Sequence, residues 1–359
     1  MGKLKKLAAA ALVLAGARAV LAGAAGGLEG AVLSGWPEGG VLSAALRLEL
    51  GLDEAAATPS ALPRESAAPP SAAPEHAGYA SIIPSPQPSG VAAGEPEATP
   101  PTVDSDGTPI VETTIYSGVA IKNSTAIEID TAALLAAGPP QTLPAEGPQV
   151  LIVHTHGSEA YTPDSRDYYV ESDTDRTEDK NYNVIRVGDE LASVLTEAGL
   201  NVLHDREIYD YPSYTGSYSR SGAAVEAYLA EYPEIAVVID LHRDALGDDG
   251  VTYKTVAELD GESASQVMML VGTGESGLYH PNWEQNLRLA LYLQDAVNGK
   301  YPTLVRPVSV TPERYNQHLT TGSMILEVGS NGNTLREALN AIRLYGDAIA
   351  PALLALVAE

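Results

Sequence analysis

The sequence predicts an α/β domain, a mostly parallel twisted sheet with helices on both faces. Two observations carry this. Four apolar runs, at 149–154, 235–241, 267–271 and 324–328, are nearly continuous rather than alternating, as strands buried on both faces are. Helical spacing separates them, and strand–helix alternation is the pattern of a sheet covered on both sides.

Taken in order, residues 111–116 and 120–129 read as short strands in an extension, 110–147, packed on the main domain at 148–359. The first buried strand is Gln149-Val150-Leu151-Ile152-Val153-His154. Val184, Val187, Leu191, Val194, Leu195 and Ala198 then recur at helical spacing, and Gly199 stops the helix. Residues 201–204 form a short strand, 221–231 a helix and 235–241 the second buried strand. After the third, at 267–271, Trp283, Leu287, Leu291 and Val297 mark a helix over 282–297. The fourth strand, 324–328, precedes a closing helix over 334–345.

The first third has a different composition. Lys3, Lys5 and Lys6 precede an apolar, Ala-rich run from about Leu7 to Ala25, so 1–30 reads as a targeting segment with the rest of the chain outside the cytoplasm. It fits a cleaved signal peptide, with small residues such as Ala22-Gly23-Ala24, or an uncleaved membrane anchor. Residues 31–109 form a linker whose Ala, Pro, Ser and Glu content buries too little apolar surface to offset chain entropy.

The 359 residues include 47 acidic and 21 basic ones, a formal net charge of -26. Such a chain repels polyphosphate backbones, which excludes nucleic acid as a partner. There is no cysteine, so any metal is left to His, Asp or Glu.

In open α/β sheets, sites form beyond the carboxyl ends of strands. Three of the four buried strands end in candidate ligands or acid/base groups: His154-Thr155-His156-Gly157-Ser158-Glu159, His242-Arg243-Asp244 and Glu327-Val328-Gly329-Ser330. His156 and Glu159 are spaced to converge on one ion from a turn, and His242 supplies a third ligand from another strand. Three N/O ligands with one open position is the arrangement of catalytic zinc, which lowers the pKa of a water there to roughly 7. Glu327, behind apolar Met324-Ile325-Leu326, is placed to take that water's proton and deliver it to a leaving amine. Asp179 is a rival to Glu159 as third ligand. His154 reads as a core residue or one that orients a ligand, with direct ligation as the alternative. The stretch Tyr209-Asp210-Tyr211-Pro212-Ser213-Tyr214-Thr215-Gly216-Ser217-Tyr218 reads equally as a cleft lining and as a surface loop.

His154-Thr155-His156-Gly157-Ser158-Glu159-Ala160-Tyr161, Asn183-Val184-Ile185-Arg186-Val187-Gly188-Asp189-Glu190-Leu191, Ile239-Asp240-Leu241-His242-Arg243-Asp244, His280-Pro281-Asn282-Trp283, Tyr315-Asn316-Gln317-His318 and Leu326-Glu327-Val328-Gly329-Ser330 follow one another over about 110–355. In that order they resemble the stage II sporulation protein P family. The resemblance implies a zinc-dependent N-acetylmuramoyl-L-alanine amidase with cross-link endopeptidase activity. It implies peptidoglycan as substrate, septal wall thinning during forespore engulfment, an N-terminal transmembrane helix, and stage II sporulation proteins D and M as partners. By the same match His156, Glu159 and His242 are the zinc ligands and Glu327 the catalytic carboxylate. Around them, Arg243 is a candidate for a carboxylate or oxyanion, and Asn282 and Asn316 for glycan or peptide. The alternatives are a non-catalytic wall-binding scaffold and a zinc peptidase acting on other peptides.

Overall fold

The computed structural model describes Val103 and residues 107–111 and 118–358, apart from 249–250, 258, 260 and 262. The expected leader, nearly all of the linker and most of the expected strand at 111–116 lie outside the described residues. Among the described residues, no helix is long and apolar enough to cross a membrane.

In chain order the elements are β1 (Ile110–Val111), β2 (Ile121–Asn123), α1 (Thr131–Ala137), β3 (Val150–Val153), α2 (Val184–Glu197), β4 (Val202–His204), α3 (Ser217–Glu231) and β5 (Val237–Asp244). There follow β6 (Gly247–Asp248), β7 (Val251–Thr252), β8 (Lys254–Thr255), β9 (Val267–Gly272), α4 (Trp283–Lys300), β10 (Val308–Thr311), a 3-10 turn (Gln317–Leu319), β11 (Ser323–Ser330) and α5 (Leu335–Leu354). Seven strands make one sheet in the order β2-β10-β9-β11-β5-β3-β4. Every neighbouring pair is parallel except β9 and β11. The expected mostly parallel sheet is therefore two parallel blocks meeting at one antiparallel seam. β3, β4, β5 and β11 point their carboxyl ends one way; β2, β9 and β10 point theirs the other. The seam explains why β9 alone among the long strands contributes no group to the first block's carboxyl ends.

Side-chain alternation assigns the two faces different work. Val150, Ile152, Val237, Ile239, Leu241, Met324, Leu326 and Val328 face a large core that also holds apolar residues of α2, α4 and α5. Leu151, Val153 and Val238 face a smaller cluster with Val225 of α3. Further along this second face the same alternation brings up Thr155, Asp240, His242 and Glu327, so the apolar cluster gives way to polar side chains toward the strand ends.

The helices are set by caps and stripes. The Asn183 side chain accepts from Ile185 N at the start of α2, whose Val184, Val187, Leu191 and Leu195 are buried. Full burial of one such leucine is worth about 2 kcal/mol. On α5, a Cβ on Gly346 would stand 2.8 Å from Val194 Cγ1, so the absent side chain lets α5 and α2 approach closely. α3 begins at Ser217, earlier than expected, because its first turn is buried through Ser217, Tyr218 and Ser221, none of which gives an apolar signal. α5 runs on to Leu354, beyond the expected end at 345. α1 and β10 were not expected: α1 is a short Ala-rich helix capped by Asp130, and β10 carries only a brief Val-Ser-Val-Thr alternation. The extension supplies β2, the edge strand paired with β10, and β1, which pairs with β8, so both pack on the main domain as expected.

Candidate metal centre

The turn after β3 is tight, with Glu159 N donating to His156 O at 3.1 Å, and so the two side chains fall on the same side. Asp210 fixes the turn from outside by accepting from Ser158 N at 3.0 Å and Ser158 Oγ at 2.6 Å. β5 adds His242 from the adjacent strand. Glu159 Oε1 lies 3.7 Å from His156 Nδ1, and Glu159 Oε2 lies 3.4 Å from His242 Nδ1. The imidazoles are edge to face with ring centroids 5.0 Å apart. One ligand atom from each of His156, Glu159 and His242 fits within 4.8 Å of the others, and all three residues are buried. Asp179, the rival carboxylate, is instead exposed and accepts from Asn181 N and Nδ2.

The donor set fits a zinc-like cation. Two imidazoles and a carboxylate are its ordinary ligands, and His156 Nε2 is a buried atom without a hydrogen-bond partner among the described residues. Burial and nearby charge set the protonation of each ligand. Burial opposes ionisation of Glu159, but contact with His242 and the charge of Arg243 outweigh it and hold the carboxyl well below the usual range. Burial pushes His156 down to about 3. Burial would depress His242 as well, but Asp240 and Glu159 raise it well above the ordinary histidine value.

Glu327 of β11 is the register partner of His242 on β5. Its Oε2 is buried without a partner among the described residues. Burial pushes its carboxyl up to about 8; the charge of His242 opposes this, and Asp244 and Glu159 add to it. A carboxyl held there is poised to exchange protons near neutral pH.

Sequence reasoning missed Asp240. Its Oδ1 stands 2.9 Å from His242 Nε2, a charge contact rather than an aligned hydrogen bond. It also accepts from Thr155 N at 2.8 Å and Thr155 Oγ1 at 2.6 Å, tying β5 to the end of β3. The signal was present, since an aspartate two residues before a histidine on a strand shares its face. Arg176 was also missed, and no local pattern marks it. Its Nη2 is 3.5 Å from Glu159 Oε1, and its guanidinium lies 4.9 Å from the Tyr214 ring centroid. Of the Tyr-rich stretch, Tyr214 stacks on His156 at 4.6 Å and Tyr218 meets it edge-on at 5.4 Å.

The outer candidates are placed differently. His154 lies on the opposite face, donating from Nδ1 to Leu241 O at 2.9 Å and contacting His204 Nε2 at 2.8 Å. It steadies the backbone next to His242, and both its ring nitrogens are engaged away from the His156, Glu159 and His242 cluster. The Arg243 side chain is spent on the carbonyls of Ala160 and Asp175, while its backbone N–H donates to Glu159 Oε2 at 3.3 Å. Asn316 donates to Tyr218 O and Ser221 Oγ, bracing α3 one residue away from His156. Asn282 does not join the site. It follows β9 and donates to His318 O, and Asn286, one turn on, accepts from Ser323 N at the start of β11. That is the amino end of β11, whereas Glu327 lies toward its carboxyl end.

A model of the stage II sporulation protein P family matches residues 102–350. The chain belongs to this family. Stage II sporulation protein P of Bacillus subtilis (strain 168) is 28% identical to it over 220 residues, covering 58% of this chain and 52% of that one. The match thus spans about half the length of that relative. Among solved structures, N-acetylmuramoyl-L-alanine amidase AmiC2 of Nostoc punctiforme is similar with a TM-score of 0.34 and 11% identity, covering 59% of this chain and 98% of that one. The catalytic domain of CwlV, an N-acetylmuramoyl-L-alanine amidase from Bacillus (Paenibacillus) polymyxa var. colistinus, gives 0.34 and 12%, covering 57% and 98%.

Proposed function

We propose that this protein is a zinc-dependent peptidoglycan hydrolase that cleaves the amide bond between N-acetylmuramic acid and the L-Ala of the stem peptide. The observation that carries this is the convergence of His156, Glu159 and His242 beside a half-buried Glu327 of raised pKa. Membership of the stage II sporulation protein P family supports the wall as target.

His156, Glu159 and His242 would hold the cation, and bound zinc supplies Lewis-acid polarisation of the scissile carbonyl and a more acidic water. Asp240 holds His242 in orientation, and the backbone N–H of Arg243 does the same for Glu159. Glu327 takes the proton of the attacking water on its carboxylate and passes it to the leaving amine nitrogen, which departs as the neutral amine of L-Ala. Tyr214, exposed beside His156, offers an aromatic wall to the substrate.

The same reading includes cross-link endopeptidase activity, action at the sporulation septum during engulfment, tethering through the N-terminal segment, and partnership with stage II sporulation proteins D and M. These finer points rest on the family.

The deciding experiment is mass spectrometry of sacculi digested with the purified protein, with and without chelator. Release of stem peptide bearing a free L-Ala amine, abolished by chelator and absent with Glu327→Gln that still retains zinc, is the expected result. Full release by Glu327→Gln removes the catalytic role of that residue. Binding to sacculi without any product makes the protein a scaffold.

A further inference from the structure

A second cluster of unpaired polar atoms lies away from the metal centre. Both ring nitrogens of His280, Nδ1 of His318 and Nε of Arg314 are buried without a hydrogen-bond partner among the described residues. Buried polar groups are ordinarily paired, so such a concentration points to a ligand or an ordered water. His280 is only 5% exposed.

Two loops build the cluster, one following β9 and one following β10. They are stitched together by Gly274 N to Glu313 O at 3.2 Å, Ser276 N to Pro312 O at 2.9 Å and Asn282 Nδ2 to His318 O at 2.9 Å. Both strands belong to the block that runs against β11, so the two loops begin at the opposite end of the sheet from Glu327 and His242; the second loop reaches back over the sheet, where Tyr315 lies 5.6 Å from the Tyr218 ring. The cluster also adjoins the start of α4, an 18-residue helix whose N-cap, Asn282, makes no side-chain capping bond. The acidic residue of that first turn, Glu284, is exposed.

The chemistry is selective. It is not a metal site, because among the described residues only His156, Glu159 and His242 bring three such ligand atoms together. Among the described residues, no carboxylate charge figures in the shifts of His280, His318 or Arg314. Burial, then the charges of His318 and Arg314, press His280 down to about 4. Burial, then Arg314, does the same to His318, and burial alone lowers Arg314. At neutral pH the site therefore offers one fixed positive charge and N–H donors from two neutral imidazoles. Those donors match an oxyanion, and one charge matches a monoanion better than a dianion.

We propose that His280, His318 and Arg314 form a binding site for a singly charged oxyanion, a carboxylate or a phosphodiester, in the loops that follow β9 and β10. The proposal does not depend on the hydrolase activity. The site holds a ligand, or a second part of a long one, away from the group facing the metal site.

The test is an NMR titration of the histidine ring signals in the full-length protein, loaded with zinc. Acetate and diethyl phosphate are the two probes, with chloride at equal ionic strength as the control. The His280 and His318 signals, assigned by their loss in His280→Gln and His318→Gln, should shift saturably with at least one probe and not with chloride. Which probe binds tells carboxylate from phosphodiester. Arg314→Gln should weaken binding roughly tenfold while leaving the melting temperature nearly unchanged. Signals that move no more than in chloride, as expected if only water fills the site, would overturn the proposal. So would a folded Arg314→Gln with undiminished affinity. The wild-type titration decides even if no variant folds.

Discussion

His242 stands between two carboxylates, Glu159 Oε2 at 3.4 Å and Asp240 Oδ1 at 2.9 Å. In the proposed site Glu159 would share the ion with it, and Asp240, on the ring's other nitrogen, would fix which nitrogen faces the ligand set. Outer carboxylates of this kind typically contribute tenfold to a hundredfold in metal affinity. Asp240→Asn keeps an oxygen for Thr155 but removes the charge. Its zinc affinity, read by competition with a chelating dye, should fall by about that factor, with a small change in melting temperature. Unchanged affinity would leave Asp240 with only its structural bond to Thr155. Had the i, i+2 spacing of Ile239-Asp240-Leu241-His242 been weighed, this residue was within reach of sequence reasoning. Arg176 was not, because only the folded loop brings it to Glu159.

At the scale of elements, two junctions hold the site strands in register. The first is the bulge in β11 between Glu327 and Ser330, where pairing with β5 shifts. Gly329 lies in it with φ of 70°, and a Cβ there would stand 2.9 Å from Ser265 Oγ. Gly329→Ala forces a side chain into a left-handed backbone and a crowded pocket, and should cost roughly 1–3 kcal/mol of stability in denaturant titrations. An equally stable variant would mean the bulge relaxes freely.

The second junction is the start of α5, where Thr334 and Glu337 form a capping box. Glu337 also pairs with Lys254 Nζ at 2.7 Å, and Lys254 is only 4% exposed. Burial opposes ionisation of Glu337, but the hydrogen bond from Lys254 and those from Thr334 and Asn333 hold its pKa below the ordinary 4.5. A carboxyl depressed on folding stabilises the protein above its unfolded pKa and loses that contribution as pH falls through the folded one. Glu337→Gln should therefore be destabilised at pH 7, by about 3 kcal/mol for the loss of one member of a buried ion pair, and the gap to wild type should close as pH drops below 4.5. Parallel stability curves for the two proteins across that range would remove the ion pair from the account.

For the whole molecule, the antiparallel seam between β9 and β11 decides where chemistry gathers. One block brings His156, Glu159, His242 and Glu327 to a single rim; the loops that hold His280, Arg314 and His318 leave from the carboxyl ends of the other block. A cation bound only by the folded state stabilises it by mass action. Chelator should therefore lower the melting temperature, added zinc should restore it, and His242→Ala should abolish the response. A zinc response retained in His242→Ala would place the stabilising ion elsewhere.

Much of this was legible in the chain. The buried strands show as continuous apolar runs and α2 as a clear helical stripe, because burial on both faces or on one leaves a periodic trace in hydrophobicity. The candidate site residues were legible because strand ends are where an α/β sheet opens, and His156, Glu159, His242 and Glu327 fall there. Tertiary structure alone decided the rest. It brought Glu159 and not Asp179 beside the two histidines, turned His154 to the far face, spent Arg243 and Asn316 on carbonyls and a hydroxyl, and set Asn282 by the start of β11. Those outcomes depend on strand order, strand direction and loop path. Local sequence carries no record of these, because they are fixed by contacts between residues far apart along the chain.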